Sequence, residues 1–176
     1  EKIDWCLNQH ENTNHKYDKE LPYSFHLNMV ADVYSQFDSL IDEPDDTQPI
    51  LLACAGHDLI EDARVSYNDC KKVLGEYVAN IIYAVTNEKG KTRSERANDK
   101  YYEGIRNTKY ADFVKLCDRI ANVKYSKLIG SKKMFDQYHK ENEHFLEQIG
   151  NNYPKMNEYL KYLFFVQWWF IQNKLY

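Results

Sequence analysis

Glycine and proline are scarce, at 6 and 4 in 176 residues. So few turn formers argue against the many tight reversals of a sandwich or barrel. Basic charge is not in surplus either. Lys and Arg number 23 against 27 Asp and Glu, a formal net charge of −4, and this denies the chain the broad basic face of a general nucleic-acid binder. Small anions stay within reach, because a metal or a local basic cluster can bind them without altering the total. Long apolar runs are missing. The longest candidate, Leu163 to Phe170, is interrupted by Gln167 and falls short of the roughly 18 residues of a membrane span. Nothing reads as a signal peptide, and the chain opens at Glu1 rather than at methionine, which leaves room for a removed upstream segment. Cys6, Cys54, Cys70 and Cys117 form no CxxC pair. Two of them sit inside apolar helical runs, so reduced core thiols and a cytoplasmic location are expected.

What is present is ordinary for a soluble single domain spanning residues 1–176: 43% hydrophobic and 28% charged residues, with 15 Tyr and 8 Phe to fill a core. The apolar spacing is helical almost throughout, so the predicted fold class is all-α. The spacing predicts a first helix from Ile3 to about His15. A second has Pro22 in its first turn and runs through His26, Met29, Val30, Val33 and Phe37. After the acidic loop 42–47, a third runs from Ile50 to about Asp62. Its opening, Ile50-Leu51-Leu52-Ala53-Cys54-Ala55, has no polar face and predicts burial on all sides. Ser66 is placed to cap a short helix to Leu74, and Glu76 to Ala84 continues in helical spacing. Thr92 or Ser94 can cap another. Three more are predicted over Tyr110 to about Tyr125, Lys132 to Ile149, and Pro154 to the end. Of the adjacent Trp168 and Trp169, at least one is expected in the core, since both cannot face one narrow stripe. Oligomeric state is open.

The chemistry concentrates in His57-Asp58-Leu59-Ile60-Glu61-Asp62. On one continuous helix, at about 100° per residue, all four ionisable side chains project from one half of the cylinder. Three carboxylates at a helix C-terminus face the negative end of its dipole, where cations are preferred. At the end of a buried helix that crowding is costly without a neutralising cation. Either a divalent metal or simple emergence into solvent would resolve it. A second stretch, Val114-Lys115-Leu116-Cys117-Asp118-Arg119-Ile120-Ala121-Asn122-Val123, puts Asp118 and Asn122 on the rim of an apolar stripe, beside Lys115. That is the place for a core-facing ligand, or for a boundary Asp paired with a cation. His26 lies between apolar positions, as a core histidine or a ligand would. The remaining histidines, His10, His15, His139 and His144, lie in polar settings and read as surface residues.

Taken in order, His26, then His57-Asp58, then Asp118 resembles the H…HD…D signature of HD-domain phosphohydrolases. The likeness is closer still to the alarmone hydrolase domain of RelA/SpoT-type enzymes, which degrade (p)ppGpp. It is carried by PYSFH (22–26), HDLIED (57–62) and VKLCDRIANV (114–123), the last similar to that family's KLADRxxN. With VLGEYVANIIYAVTNEKGKTR (73–93) it covers most of residues 15–126. The resemblance implies an HD-domain helical bundle and a small-molecule nucleotide substrate. It implies that His26, His57, Asp58 and Asp118 hold one divalent ion, with Mn²⁺ expected. Two imidazoles and two carboxylates without a thiolate suit such an ion and give no special reason to choose zinc. The ion would acidify a bound water and polarise a phosphoryl oxygen. Glu61 and Asp62 would position or deprotonate that water, or protonate the leaving oxygen, as the 3′-pyrophosphate departs. Asn122, Lys19 and Lys115 are the implied substrate contacts. Lys115 and Arg119 can instead pair with the site's carboxylates, and Lys89, Lys91, Arg93 and Arg96 can meet distal phosphates or form a solvated linker.

Two departures from the family pattern stand out. Where the family usually carries an Arg-Lys pair before the PY segment, this chain has Tyr17 and Asp18, between Lys16 and Lys19. Where proline commonly follows the first histidine, it has Leu27. The alternative reading is an HD hydrolase of another nucleotide or phosphoester. A catalytically silent sensor is a third, which the complete set of ligands and acids disfavours.

Overall fold

Helical spacing of apolar residues is realised along nearly the whole chain. The computed structural model describes residues 1–173, with side chains through residue 166. Its helices are α1 (Lys2–Asn12), α2 (Ser24–Phe37), α3 (Thr47–Gly56), α4 (Leu59–Asp62), α5 (Tyr67–Leu74), α6 (Glu76–Val85), α7 (Arg93–Arg96), α8 (Asp99–Arg106), α9 (Ala111–Leu128), α10 (Lys132–Ile149) and α11 (Pro154–Asn173). The all-α expectation holds. The one sheet among the described residues is a small hairpin, β1 (Lys16–Tyr17) with β2 (Leu21–Pro22), paired antiparallel with Lys16 opposite Pro22.

Side-chain caps set several boundaries. Ser66 accepts from the Asp69 amide while Asp69 returns a bond to Ser66, and Thr92 and Glu95 do the same at α7. Apolar spacing does not predict helix α8. Its Asn98 side chain accepts from the Tyr101 amide and starts a helix that buries Tyr101, Tyr102 and Ile105. The expected place of Pro22 is corrected. It lies in β2, and α2 begins two residues later, because the chain reverses through Asp18 and Lys19, at φ 48° and 72°, and Pro22 closes that hairpin.

Helix α9 is the central element, packed against α2, α3, α6, α8, α10 and α11. Phe113, Val114, Leu116, Ile120 and Val123 on it are buried, and they meet a core that includes Val30, Ile50, Ala53, Ile81, Ile82, Phe145 and Leu160. Burial of each such side chain contributes on the order of 2 kcal/mol. Gly56 lets α3 approach α6 closely: a Cβ there would meet Ile82 Cδ1 at 2.6 Å. All four cysteines are buried and free, as core thiols should be. Among the described residues no helix is long and apolar enough to cross a membrane. Trp168 and Trp169 lie outside the described side chains.

The most consequential correction concerns residues 50–62, which do not form one helix. Helix α3 ends at Gly56, and Asp58 takes φ −104° and ψ 6° before α4 resumes. That bridge conformation is sparsely populated and often met at active sites. The break frees a carbonyl of the last turn of α3, at Cys54, and the His57 ring takes it.

Candidate metal centre

Three separated stretches of chain meet beside that break. His26 from α2, His57 and Asp58 from the α3–α4 junction, and Asp118 from α9 come together, with both histidines and Asp118 buried. The Nδ1 of His57 donates to the Cys54 carbonyl at 2.8 Å, which leaves its Nε2 lone pair directed inward. There it lies 3.4 Å from His26 Nε2, 3.1 Å from Asp58 Oδ2 and 3.5 Å from Asp118 Oδ1. His26 Nε2 is 3.1 Å from Asp118 Oδ1. One ligand atom each from His26, His57 and Asp58 falls within 4.8 Å of the others.

These separations are those of neighbouring donors placed about 2.1 Å from a shared divalent ion. The donor set is two imidazole nitrogens and two carboxylate oxygens, so the residues fit such an ion. Two lone-pair nitrogens facing each other at 3.4 Å need a proton or a cation between them. Without an ion the proton wins. Burial works against a charged His57, yet Asp58 and Asp118 overcome it and hold the imidazolium well above the usual histidine range. Burial likewise opposes ionisation of Asp118, and Lys115 together with the two histidines holds it well below the usual carboxylate range.

Neighbours fix the carboxylates. Lys115 Nζ reaches Asp118 Oδ2 at 2.8 Å, the structural role weighed for it. Asn122 Nδ2 donates to Asp118 Oδ1 at 2.6 Å and to the Asp118 carbonyl at 3.1 Å. Tyr23 donates its hydroxyl to Asp58 Oδ2. Arg119 instead pairs with Glu141 at 3.0 Å, beside Arg93 at 2.8 Å on the same carboxylate.

The two acids after the ligands are adjacent on α4 and take different partners. Glu61 accepts from the Asn87 amide at 3.2 Å and from Asn87 Nδ2 at 2.9 Å, which ties it to the segment after α6. Asp62 keeps a 3.9 Å approach from His15 Nε2. Burial, with Asp58 and Glu61 nearby, pushes its carboxyl up to about 6 from the ordinary 3.8. Below about pH 4 the folded and unfolded forms both carry the proton. As pH rises through 6 only the folded chain resists ionisation, so stability is lost across that window. In chelator, Asp62→Asn should therefore be more stable than the parent above pH 7, by about 1 kcal/mol once the partial solvation of this side chain is allowed for. The difference should vanish below pH 4, as urea titrations at both pH values would show.

His10 and His15 are corrections. Their polar settings predict surface residues, but His10 is buried and His15 half-buried. Their Nδ1 atoms lie 2.9 Å apart, and both rings stack on Tyr23 at 4.2 and 4.1 Å. Tertiary packing of α1 against α3 and α4 explains it. The signal is Cys6 and His10, four residues apart on one helical face. His139 and His144 are exposed as expected.

A cavity of about 740 Å³ opens from Asp118, Asn122 and Lys115, and is lined further by Arg93, Arg96, Arg119, Tyr101, Tyr102 and Tyr138. Arg96 Nε is buried there with no partner among the described residues. Lys19 sits exposed at the hairpin tip and is not part of this lining, and Lys89 lines a different groove.

No family model matches the chain. A guanosine-3′,5′-bis(diphosphate) 3′-pyrophosphohydrolase, MESH1, of Danio rerio is 27% identical over 124 residues, 70% of this chain and 66% of the relative. The Drosophila melanogaster protein of the same name is 26% identical over the same shares. The chain thus spans just under two thirds of these relatives' length. A solved structure described as a metazoan ortholog of SpoT that hydrolyzes ppGpp and plays a role in starvation responses matches with a TM-score of 0.73, at 22% identity, over 94% of this chain and 95% of that one. The two share one fold. The likeness to alarmone hydrolases, carried first by three short motifs, therefore extends through both sequence and architecture.

Proposed function

We propose that this chain is a metal-dependent pyrophosphohydrolase that removes the 3′-pyrophosphate of (p)ppGpp-like nucleotides. The observation that carries the reading is the convergence of His26, His57, Asp58 and Asp118, the last of which also lines a cavity bordered by cations and tyrosines. The named activity of the relatives and the shared fold support the same reaction.

His26, His57, Asp58 and Asp118 would hold one divalent ion, with Mn²⁺ as the reading for this donor set. The chemistry such an ion supplies is Lewis acidity toward a phosphoryl oxygen and a more acidic water. The chain's own residues do the rest. Lys115 and Asn122 keep Asp118 ionised and correctly turned. Arg93, Arg96 and Arg119 neutralise phosphates entering the cavity, and the tyrosine rings beside them offer apolar faces to a base. Water attacks the phosphorus attached to the 3′ oxygen, the bond from that phosphorus to the 3′ oxygen breaks, and the 3′ oxygen leaves with a proton. Asp62, which holds its proton to about pH 6, is the donor this arrangement offers. Glu61 braces the Asn87 segment over the same opening.

A nucleotide panel assayed with Mn²⁺ tests this. The expected result is release of pyrophosphate from ppGpp, with GDP as the other product and nucleoside monophosphates left intact. Cleavage of a monophosphate while ppGpp stays whole would overturn the assignment and favour another phosphoester, the reading that Tyr17 and Asp18 raise.

A further inference from the structure

His26 and His57 are held by different means. The His57 ring is pinned by the bond from its Nδ1 to the Cys54 carbonyl. The Nδ1 of His26 is buried and meets no acceptor among the described residues. Imidazoles that ligate metals almost always donate their second nitrogen to a carboxylate, a carbonyl or water, which sets ring angle and tautomer. No described residue supplies that brace to His26. Tyr17 lies flat against it instead, with ring centroids 4.8 Å apart and planes 16° from parallel.

The same side chain reaches Asp118 by a second route. The carboxylate and backbone carbonyl of Asp118 can only accept hydrogen bonds, so Asn122 must turn its Nδ2 toward them. That leaves Asn122 Oδ1 pointing the other way, and the Tyr17 hydroxyl donates to it at 2.8 Å. Asp118 Oδ1 lies in turn against His26 Nε2. Ring and hydroxyl together close a circuit around the His26–Asp118 pair. The hairpin holds Tyr17 in place: Tyr17 pairs with Leu21, and Asp18 accepts from the Tyr125 hydroxyl at 2.8 Å. Tyr17 does not line the 740 Å³ cavity.

We propose that Tyr17 is a positioning residue for the metal site, orienting His26 by stacking and Asp118 through Asn122, in place of a hydrogen-bond brace on His26 Nδ1. The inference rests on the metal-site reading above. It also gives Tyr17 and Asp18 a task in building the site rather than in holding nucleotide.

The test titrates Mn²⁺ into metal-free parent, Tyr17→Phe and Tyr17→Ala proteins by calorimetry, with melting curves in chelator alongside. Tyr17→Phe keeps the ring and drops the hydroxyl, so affinity should weaken by about 3- to 10-fold. Tyr17→Ala loses both and should weaken binding by about 10- to 100-fold, the range for outer-shell partners of metal ligands. The hydrolysis assay should show a matching rise in the Mn²⁺ needed for half-activity, with KM for nucleotide unchanged at saturating Mn²⁺. Unaltered Mn²⁺ affinity in both variants overturns the proposal, whether accompanied by a lower melting temperature, by a higher nucleotide KM, or by neither. If Tyr17→Ala does not fold, the phenylalanine variant decides. Failure of the parent itself to bind a divalent ion would remove the metal-site reading and this inference together; tight binding by all three proteins removes this inference alone.

Discussion

Replacing His57 and Asp58 together by alanine is expected to abolish divalent-ion binding and to lower nucleotide turnover by about 10³-fold or more, the scale at which groups that act as one unit fail together. The two residues contribute adjacent donors from one backbone break, and His57 Nε2 lies 3.1–3.5 Å from each of the other three ligand atoms. Without it, His26 and Asp118 are left as a two-donor remnant on α2 and α9. The fold should survive, because neither side chain belongs to the apolar core around α9. A local cost of about 1–3 kcal/mol is expected where the Tyr23 hydroxyl loses its acceptor. Elemental analysis after dialysis against Mn²⁺, with circular dichroism as the folding control, measures both effects. One bound ion retained in a folded double variant would rule out the proposed ligand set.

The second large effect is on stability and depends on the metal. Lys115 stands three residues before Asp118 on α9, with the two side chains only 14% and 11% exposed. Burial opposes its charge, but Asp118 and Tyr101 hold the ammonium well above its ordinary range, and Asp118 is held ionised in return. Lys115→Met keeps the aliphatic bulk and removes the countercharge. In chelator this should cost about 3–5 kcal/mol, the penalty for stranding one member of a buried ion pair. Saturating Mn²⁺ should recover a large part of that loss, because an ion on Asp118 replaces the missing positive charge and binds the folded state selectively. Urea unfolding with and without Mn²⁺ gives the two numbers. Equal losses in both conditions would mean that Asp118 is no part of a metal site.

The legibility of this protein divides along sequence distance. The Ser66 and Thr92 caps, the 18-residue span from Lys132 to Ile149 and the apolar face of α9 are written within a few neighbouring residues, where spacing and caps act directly. The HDLIED and KLCDR stretches likewise carry their chemistry in local order. Local rules fail at two places in the chain. A continuous helix over 50–62 fits the apolar spacing, yet Gly56 against Ile82 and the His57 ring on the Cys54 carbonyl favour a break. Beyond that break Glu61 and Asp62 share the short helix α4, where Glu61 is tied to Asn87. The polar setting of His10 conceals its burial, since what covers it is His15 just beyond the helix and Tyr23 across the hairpin.

Sequence alone determined that the chain is helical, which four side chains are candidates to share an ion, and which reaction class they resemble, because residue type, short spacing and motif order carry that information. Only the tertiary structure decided that α2, the α3–α4 break and α9 bring those four together, and that Tyr17 lies on His26 and reaches Asn122. Those relations join residues up to 105 positions apart, and no local pattern encodes them; they follow from how buried surfaces of distant helices fit against one another.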